Sequence, residues 1–404
     1  MNLAFQSQLQ DPSELRSELL EWDAFGTKTV QFERDNVPFF VNEFWTSKQR
    51  AAHSLHEVSY RACFKPQLPE FFISRLTKPG DVVFDPFMGR GTTVLEAAML
   101  GRVGLGNDVN PLSRMLVEPR IAPPTLSEIA DRLAIIDLSS ASSIYQELEA
   151  FYHPSTLIEI CAFREYFLER KKLGKLDVLD KWIRMVAINR LTGHSKGFFS
   201  VYTLPPNQAT SIARQLKINE KRNQTPDYRD TKEIILKKSK SLLKDWNGTA
   251  ANEQAQFINH NMNDELAYSG QKVALSVTSP PFLNVVDYKS DNWLRCWFAG
   301  IDADQVEITQ TPKIDAWRNL VKNTLVNVFK ITKPNGFFAF EVGEIQNGAL
   351  KLEEVVLDVA KETDWIPELV LINQQDFTKT SNAWGVSNNS KGTNTNRIAL
   401  LRKP

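Results

Sequence analysis

The residues best equipped for chemistry form a short run, Thr278-Ser279-Pro280-Pro281-Phe282, at the end of the apolar segment Val273-Ala-Leu-Ser-Val277. That segment has strand length and β-branched content. Neither proline carries an N–H, so ladder pairing must stop and the chain must leave the sheet. The carboxyl ends of strands are where open α/β sheets place ligands. Two hydroxyls, carbonyls whose directions the prolines fix, and a flat ring would make a rigid pocket with acceptors and a stacking face. Read without function, the same run is a Pro-Pro turn ending a core strand.

A second constellation lies earlier. Val82-Val83-Phe84 reads as a buried strand and Asp85-Pro86-Phe87-Met88-Gly89-Arg90-Gly91-Thr92-Thr93 as a loop. Val94 to Leu100 reads as a helix stopped by Gly101, and Val103 to Asp108 as a second strand with an acid at its tip. The glycines allow positive φ and close backbone approach. A helix N-terminus offers unpaired N–H groups and the positive end of a dipole. The tip carboxylate suits a ribose diol. A dinucleotide site would need a third glycine in Gly-x-Gly-x-x-Gly, and Val94 stands there.

Val277-Thr278-Ser279-Pro280-Pro281-Phe282 resembles the aliphatic-Thr-Ser-Pro-Pro-aromatic motif of DNA amino-methyltransferases, in particular those acting on the N4 amine of cytosine. Serine at this place is more typical of cytosine-N4 enzymes, and aspartate of adenine-N6 enzymes. The Asp85–Thr93 loop, with Gly106-Asn107-Asp108-Val109-Asn110-Pro111, is similar to the S-adenosylmethionine loop of the same family. His53 to Pro69 resembles the segment that precedes the core in many amino-methyltransferases, with Phe64-Lys65 where Lys-Phe is more usual.

The resemblance implies an α/β fold: a Rossmann-like S-adenosylmethionine-dependent methyltransferase sheet with a large helical insertion. It implies that Lys65, Pro66, Asp85, Pro86, Phe87, Gly89, Gly91, Thr92 and Thr93 serve the cofactor, mostly at its methionine end. Asp108 would hold the ribose hydroxyls and Asp264 the adenine ring. Ser279, Pro280, Pro281 and Phe282 would be catalytic, and no metal is implied. An exocyclic aromatic amine is a poor nucleophile, because its lone pair is delocalised into the ring. The Ser279 hydroxyl and the Pro280 carbonyl are candidate acceptors for its N–H groups, and Phe282 would stack on the base. An amine inside a duplex must be flipped out to be reached. A cytosine-C5 enzyme would need a nucleophilic cysteine, typically after a proline, and Cys63, Cys161 and Cys296 do not stand so.

The elements that must position these residues divide the 404-residue chain into four parts. Residues 1–52 read as an accessory segment, with an amphipathic helix from Pro12 to Trp22, Ser13 as its candidate N-cap, and a short strand at Val30–Arg34. Residues 53–111 read as the cofactor half of the core, 112–255 as a mostly helical insertion, and 256–404 as the catalytic half. In the last part the pattern predicts strands near Gln256–Asn259, Gly336–Val342, Glu368–Asn373 and Ile398–Arg402, with helices over Trp317–Lys330 and Leu350–Thr363. The amide-rich stretch Phe377–Arg397 is either a wall of the base pocket or a flexible hairpin.

Formal net charge is zero, so any polyanion surface must be local. Between Cys161 and Asp245 there are nineteen Lys and Arg against nine Asp and Glu. This is the footprint of a nucleic-acid surface, or else a solvated helical face. Within it, Arg190 to Gln208 mixes glycines, cations, amides and aromatics without helical period. It is a candidate recognition loop or a structural hairpin. The three cysteines give neither a disulfide framework nor zinc spacing. No signal pattern or membrane-length apolar run occurs, which predicts a cytoplasmic protein without membrane contact.

The expected function is a site-specific methyltransferase acting on the N4 amine of a flipped cytosine in double-stranded DNA, with a cognate restriction endonuclease as a candidate partner. The alternatives are an adenine-N6 DNA methyltransferase, an RNA methyltransferase acting on a guanine amine, and a non-catalytic DNA-binding relative.

Overall fold

The computed structural model describes residues 11–46, 52–206, 209–248, 255–281, 287–308, 313–343, 350–374 and 395–404. Phe282 and most of the amide-rich stretch, 375–394, lie outside the described residues, as do Asn207 and Gln208. The strands are β1 (Val30–Arg34), β2 (Val37–Asn42), β3 (Val82–Asp85), β4 (Val103–Asn107), β5 (Ala255–Ile258), β6 (Val273–Thr278), β7 (Thr332–Gly343), β8 (Ile366–Gln374) and β9 (Thr395–Arg402). The helices are α1 (Pro12–Leu20), α2 (Gln67–Leu76), α3 (Thr92–Met99), α4 (Pro111–Val117), α5 (Leu126–Ile135) and α6 (Pro154–Lys172). They continue with α7 (Val178–Arg190), α8 (Ile212–Arg222), α9 (Thr231–Leu242), α10 (Tyr288–Ala299), α11 (Ile314–Ile331) and α12 (Leu352–Glu362).

The strands form one sheet in the order β1-β2-β8-β9-β7-β6-β3-β4-β5. From β3 the chain winds outward through β4 to β5, each pair parallel. It then returns to the other side of β3 to add β6 and β7, again parallel. The winding direction therefore reverses between β3 and β6, and connections leaving their carboxyl ends part in opposite directions. That is the topological switch point of a doubly wound, Rossmann-like sheet, where a crevice opens. β9 runs antiparallel between β7 and β8.

The central strands β3, β4 and β6 are buried at every position because both faces are covered. Phe84 on β3 and Phe338 and Phe340 on β7 pack with α11 and α12 around buried Trp317. The alternate residues Val83, Phe337 and Ala339 pack on the opposite face with Phe71 and Phe72 of α2. The insertion is helical, as its pattern predicts, but it is not a detached unit. Phe163, Phe167 and Trp182 share one core with Val94 and Leu95 of α3.

The segment before residue 53 corrects the reading of it as an accessory. β2 pairs in parallel with β8, Phe39 opposite Val370, so it extends the sheet. α1 buries Leu15 and Leu19 in the same core as Phe40. Its N-cap is Asp11, whose carboxyl accepts from Ser13 N at 2.9 Å, with Pro12 at the first helical position. Ser13 is therefore inside the first turn, consistent with proline's preference for that place. Among the described residues, no helix is long and apolar enough to cross a membrane, and no cluster of His, Cys, Asp and Glu is arranged to hold a metal ion.

Candidate active site

The two constellations meet at the switch point. β3 and β6 are neighbours, Phe84 opposite Ser276. The Thr278 hydroxyl donates to Asp85 Oδ1 at 2.6 Å, and the Thr93 hydroxyl donates to the Val277 carbonyl at 3.1 Å. Asp85 is 1% exposed and also accepts from Phe87 N at 3.1 Å. Burial pushes its carboxyl up to about 7, against the opposing pull of the bonds from Thr278 and Phe87.

The loop after β3 is pinned by the acid at the tip of β4. Asp108 accepts from Gly89 N through one oxygen and from Asn110 N through the other, both at 2.9 Å. Burial raises its pKa, and these backbone bonds oppose the rise. Gly89 and Gly91 both hold positive φ, +49° and +72°. A Cβ at Gly91 would run into the Val117 side chain, so this glycine is demanded by packing against α4. Arg90 turns inward at 5% exposure and donates to the carbonyls of Val58 and Phe64 at 3.1 and 3.2 Å. It thereby ties the 53–69 segment to the loop.

Asp85, Pro86, Phe87, Gly89, Thr92 and Asp108 line one cleft together with Ser279 and Pro281. Pro280 is buried between the last two, and the Pro281 carbonyl accepts from Trp317 Nε1 at 3.1 Å. Four expected residues stand elsewhere. Gly91 and Thr93 sit behind the lining in packing and hydrogen-bonding roles. Lys65 and Pro66 are replaced at the wall by Tyr60 to Phe64, because α2 begins directly after Pro66 and carries the chain away. Asp264 is a further correction. It is exposed, and the turn presents Asn261 and Met262 to the cleft instead.

The sequence reading passed over three residues near this site. Tyr60 and Tyr288 face the cleft with ring centroids 6.4 Å apart. Glu341, 4% exposed on β7, is a lone carboxylate in the otherwise apolar run Phe337-Phe338-Ala339-Phe340-Glu341-Val342. That interruption was the available signal. The candidate recognition loop is largely structural. Phe198 and Phe199 are buried, Arg190 stacks 4.0 Å from the Phe198 centroid, and Val201 N donates to the Phe151 carbonyl at 2.9 Å. Beyond the loop, Ala209 N donates to the Asp291 carbonyl at 3.1 Å, and Arg61 of the cleft wall pairs with the Asp291 carboxylate at 2.7 Å.

Chemically, the cleft offers two carboxyl groups, the N-terminus of α3, aromatic walls and a serine. The donor set fits a ligand with a cationic end, a diol and a flat ring, and leaves Ser279 for a second molecule. Ser279 Oγ is buried without a completed hydrogen bond, which is the mark of a group waiting for a partner.

Residues 13–113 match the model of a DNA methylase family. A stretch of 76 residues is 34% identical to Type II methyltransferase M.MjaII of Methanocaldococcus jannaschii, covering 19% of this chain and 14% of that protein. Another of 111 residues is 31% identical to Type II methyltransferase M.MvaI of Kocuria varians, covering 27% and 23%. The chain thus spans less than a quarter of either relative's length. Among solved structures, TrmN from Thermus thermophilus aligns over 87% of this chain and 52% of its own, at 12% identity and a TM-score of 0.33. The loop, the strand-tip acid and the Ser-Pro-Pro turn meet at one switch point, and the part of the chain that carries the first two, within residues 13–113, is similar to a DNA methylase family.

Proposed function

We propose that the protein methylates the exocyclic amine of a base in double-stranded DNA, the N4 amine of a flipped cytosine, with S-adenosylmethionine as methyl donor. The observation that carries this reading is the Thr278–Asp85 hydrogen bond, which locks the Ser-Pro-Pro turn to the cofactor loop within one cleft. Asp85, Phe87 and Gly89 would hold the methionine end of the cofactor, and Asp108 the ribose. When bound there, the cofactor supplies a methyl group activated by a sulfonium.

The protein's own task is to present the amine. Ser279 and the Pro280 carbonyl accept its N–H groups and favour a more tetrahedral nitrogen, and positioning supplies most of the rate. Cys63 lines the cleft, but burial raises its thiol pKa and its Sγ lies 3.7 Å from the Arg61 carbonyl. It is a poor nucleophile, which favours direct attack by the amine over carbon-5 chemistry. A neutral serine at position 279, where adenine enzymes more often carry aspartate, supports cytosine over adenine. Adenine N6 is the second reading, since both bases present an NH2 group. Work beside a cognate restriction endonuclease, as the modification half of such a pair, completes the proposal.

The test is to express the protein in a host lacking other methyltransferases, digest its DNA to nucleosides and identify the modified one by mass. N4-methylcytosine supports the reading. N6-methyladenine alone overturns the base choice, and 5-methylcytosine overturns the mechanism. Ser279→Ala should lower turnover much more than cofactor affinity.

A further inference from the structure

The cleft holds one strongly directional donor that has no task yet. Among the described residues that line it, Arg61 is the one Lys or Arg. Its Nη1 donates to Asp291 Oδ2 at 2.7 Å, and Asp291 lies in the first turn of α10, the next described helix after the Ser-Pro-Pro turn. The guanidinium makes no other bond among the described residues. That leaves Nε and Nη2, whose N–H groups run parallel as a planar fork, on a side chain that is 33% exposed beside an Asp291 at 8%. The backbone here is held for display. Ala62 has φ +55°, and every other non-glycine at positive φ among the described residues is Asn or Asp. An alanine keeps such a conformation only where its surroundings impose it, and strained positions of this kind gather at ligand clamps. Ser59 N donates to Asn189 Oδ1 at 2.9 Å, Arg90 holds the carbonyls of Val58 and Phe64, and Asp291 holds Arg61 itself.

Resting on the function proposed above, we infer that Arg61 is a specificity-determining residue: its Nε and Nη2 donate to the acceptor edge of the flipped base and select cytosine over adenine. Ser279 and the Pro280 carbonyl, as acceptors, take the amine and leave the rest of that edge to be matched. In cytosine the amine is followed by a ring nitrogen and then a keto oxygen, two neighbouring acceptors that fit a guanidinium fork. In adenine it is followed by a ring nitrogen and then a C–H, so one N–H of the fork faces carbon and is stranded. A site built to hydrogen-bond a group rejects the ligand that lacks it, because its own polar group is left unpaired. The ion pair with Asp291 favours a base over a phosphate. A paired guanidinium offers direction with little net charge, whereas counterion release needs a cation that is not already neutralised.

The test uses the full chain and a short duplex carrying the target site, located first by sequencing modified bases in DNA from a host that expresses the wild type. The target base is either cytosine or a cytosine analogue without the keto oxygen, and single-turnover methyl transfer gives the rate on each. The wild type should be slower on the analogue by roughly 10- to 100-fold. Arg61→Ala should act on cytosine at about that reduced rate and lose nothing more on the analogue, since both changes remove the same contact. Arg61→Lys keeps a cation for Asp291 but no fork, so its rate on cytosine should stay nearer to that of Arg61→Ala than to the wild type. Calorimetry should find cofactor affinity within about twofold of the wild type in both variants. Equal wild-type rates on the two bases overturn the inference, as does an undiminished loss on the analogue in Arg61→Ala. So does full rescue by Arg61→Lys, which would mark a structural ion pair. A fall in cofactor affinity would put Arg61 on the carboxylate of the cofactor, and a salt slope lowered by about 0.9 with the analogue loss intact would put it on a phosphate; either result overturns the inference. A wild type that yields only N6-methyladenine, or no methylated base, overturns the functional reading before any variant is made, and this inference with it.

Discussion

The Thr278 hydroxyl reaches across two neighbouring strands to the Asp85 carboxyl at 2.6 Å, both groups buried. One bond therefore couples the turn that would hold the base to the loop that would hold the cofactor. Thr278→Val keeps the shape and removes the donor. The cost of stranding a buried acceptor is roughly 1–3 kcal/mol. Denaturant unfolding should show that loss in stability, and calorimetry should show cofactor affinity changing with it. An unchanged affinity would mean that the two halves are merely adjacent.

Asp85 should make cofactor binding depend on pH. Its pKa is raised from 3.8 to about 7 in the fold, so the folded protein holds a proton that the unfolded chain releases at lower pH. Stability from this group is then greatest in acid and falls as pH rises between 3.8 and about 7. A cationic ligand end in the cleft favours the ionised form, so affinity for S-adenosylmethionine should rise across that same upper range, with proton release. Asp85→Asn should bind more weakly and lose the dependence. Calorimetry in two buffers of different ionisation enthalpy measures the released proton directly.

Asp108 ties Gly89 and Asn110 with its two oxygens, both through backbone N–H groups. Asp108→Ala should weaken cofactor binding by roughly 1.5–3 kcal/mol, the range for a charge-assisted bond. Asp108→Asn should cost less, because its amide oxygen can still accept one of those N–H groups. Titration of the cofactor into each variant checks the order, and equal affinities for all three proteins would remove Asp108 from the site.

Short-range features were legible in the sequence and long-range ones were not. The unit from β3 to Asp108 and the turn after β6 could be read because each is contiguous and bounded by residues that forbid continuation, such as Gly101 and Pro280. The strand at Val30–Arg34 was visible for the same reason, but its place was not. β2 joins the sheet through β8, Phe39 opposite Val370, and no local pattern encodes such a pairing. Phe198 and Phe199 could equally have faced a base or the core, since composition does not say which way a ring turns. Gly91 looked like a ligand-contact glycine until Val117 was seen against it.

That last contact gives a direct test. Gly91 combines φ +72° with a neighbour that leaves no room for a Cβ. Gly91→Ala should be strongly destabilising, by a few kcal/mol, from strain and overpacking together. Val117→Ala opens space at its own cost, yet Gly91→Ala should be cheaper in that background. A double-mutant cycle by chemical denaturation measures the coupling. Additive losses would show that backbone strain alone sets the requirement.

The basic surplus of the insertion divides into structural and available cations. Arg184 and Arg190 are buried, Arg170 pairs with Asp180, and Arg229 with Asp227. By contrast Lys237, Lys240 and Lys244 make no ion pair among the described residues and line a surface hollow beside Trp246. Their spacing places them on one side of α9 and its continuation. Lys196 and Lys237 line a second hollow along the same helix. If this face meets the DNA backbone, each cation lost should remove about one released counterion, or roughly 0.9 from the slope of log K against log salt. The triple variant Lys237→Gln, Lys240→Gln, Lys244→Gln should therefore flatten that slope by about 2 to 3. It should leave cofactor affinity unchanged, since none of the three lines the cleft. Binding of a short duplex measured across a salt series gives the slope. An unaltered slope in a folded triple variant would show that these lysines only solvate the helix, and would move the DNA surface to the cleft rim near Arg61.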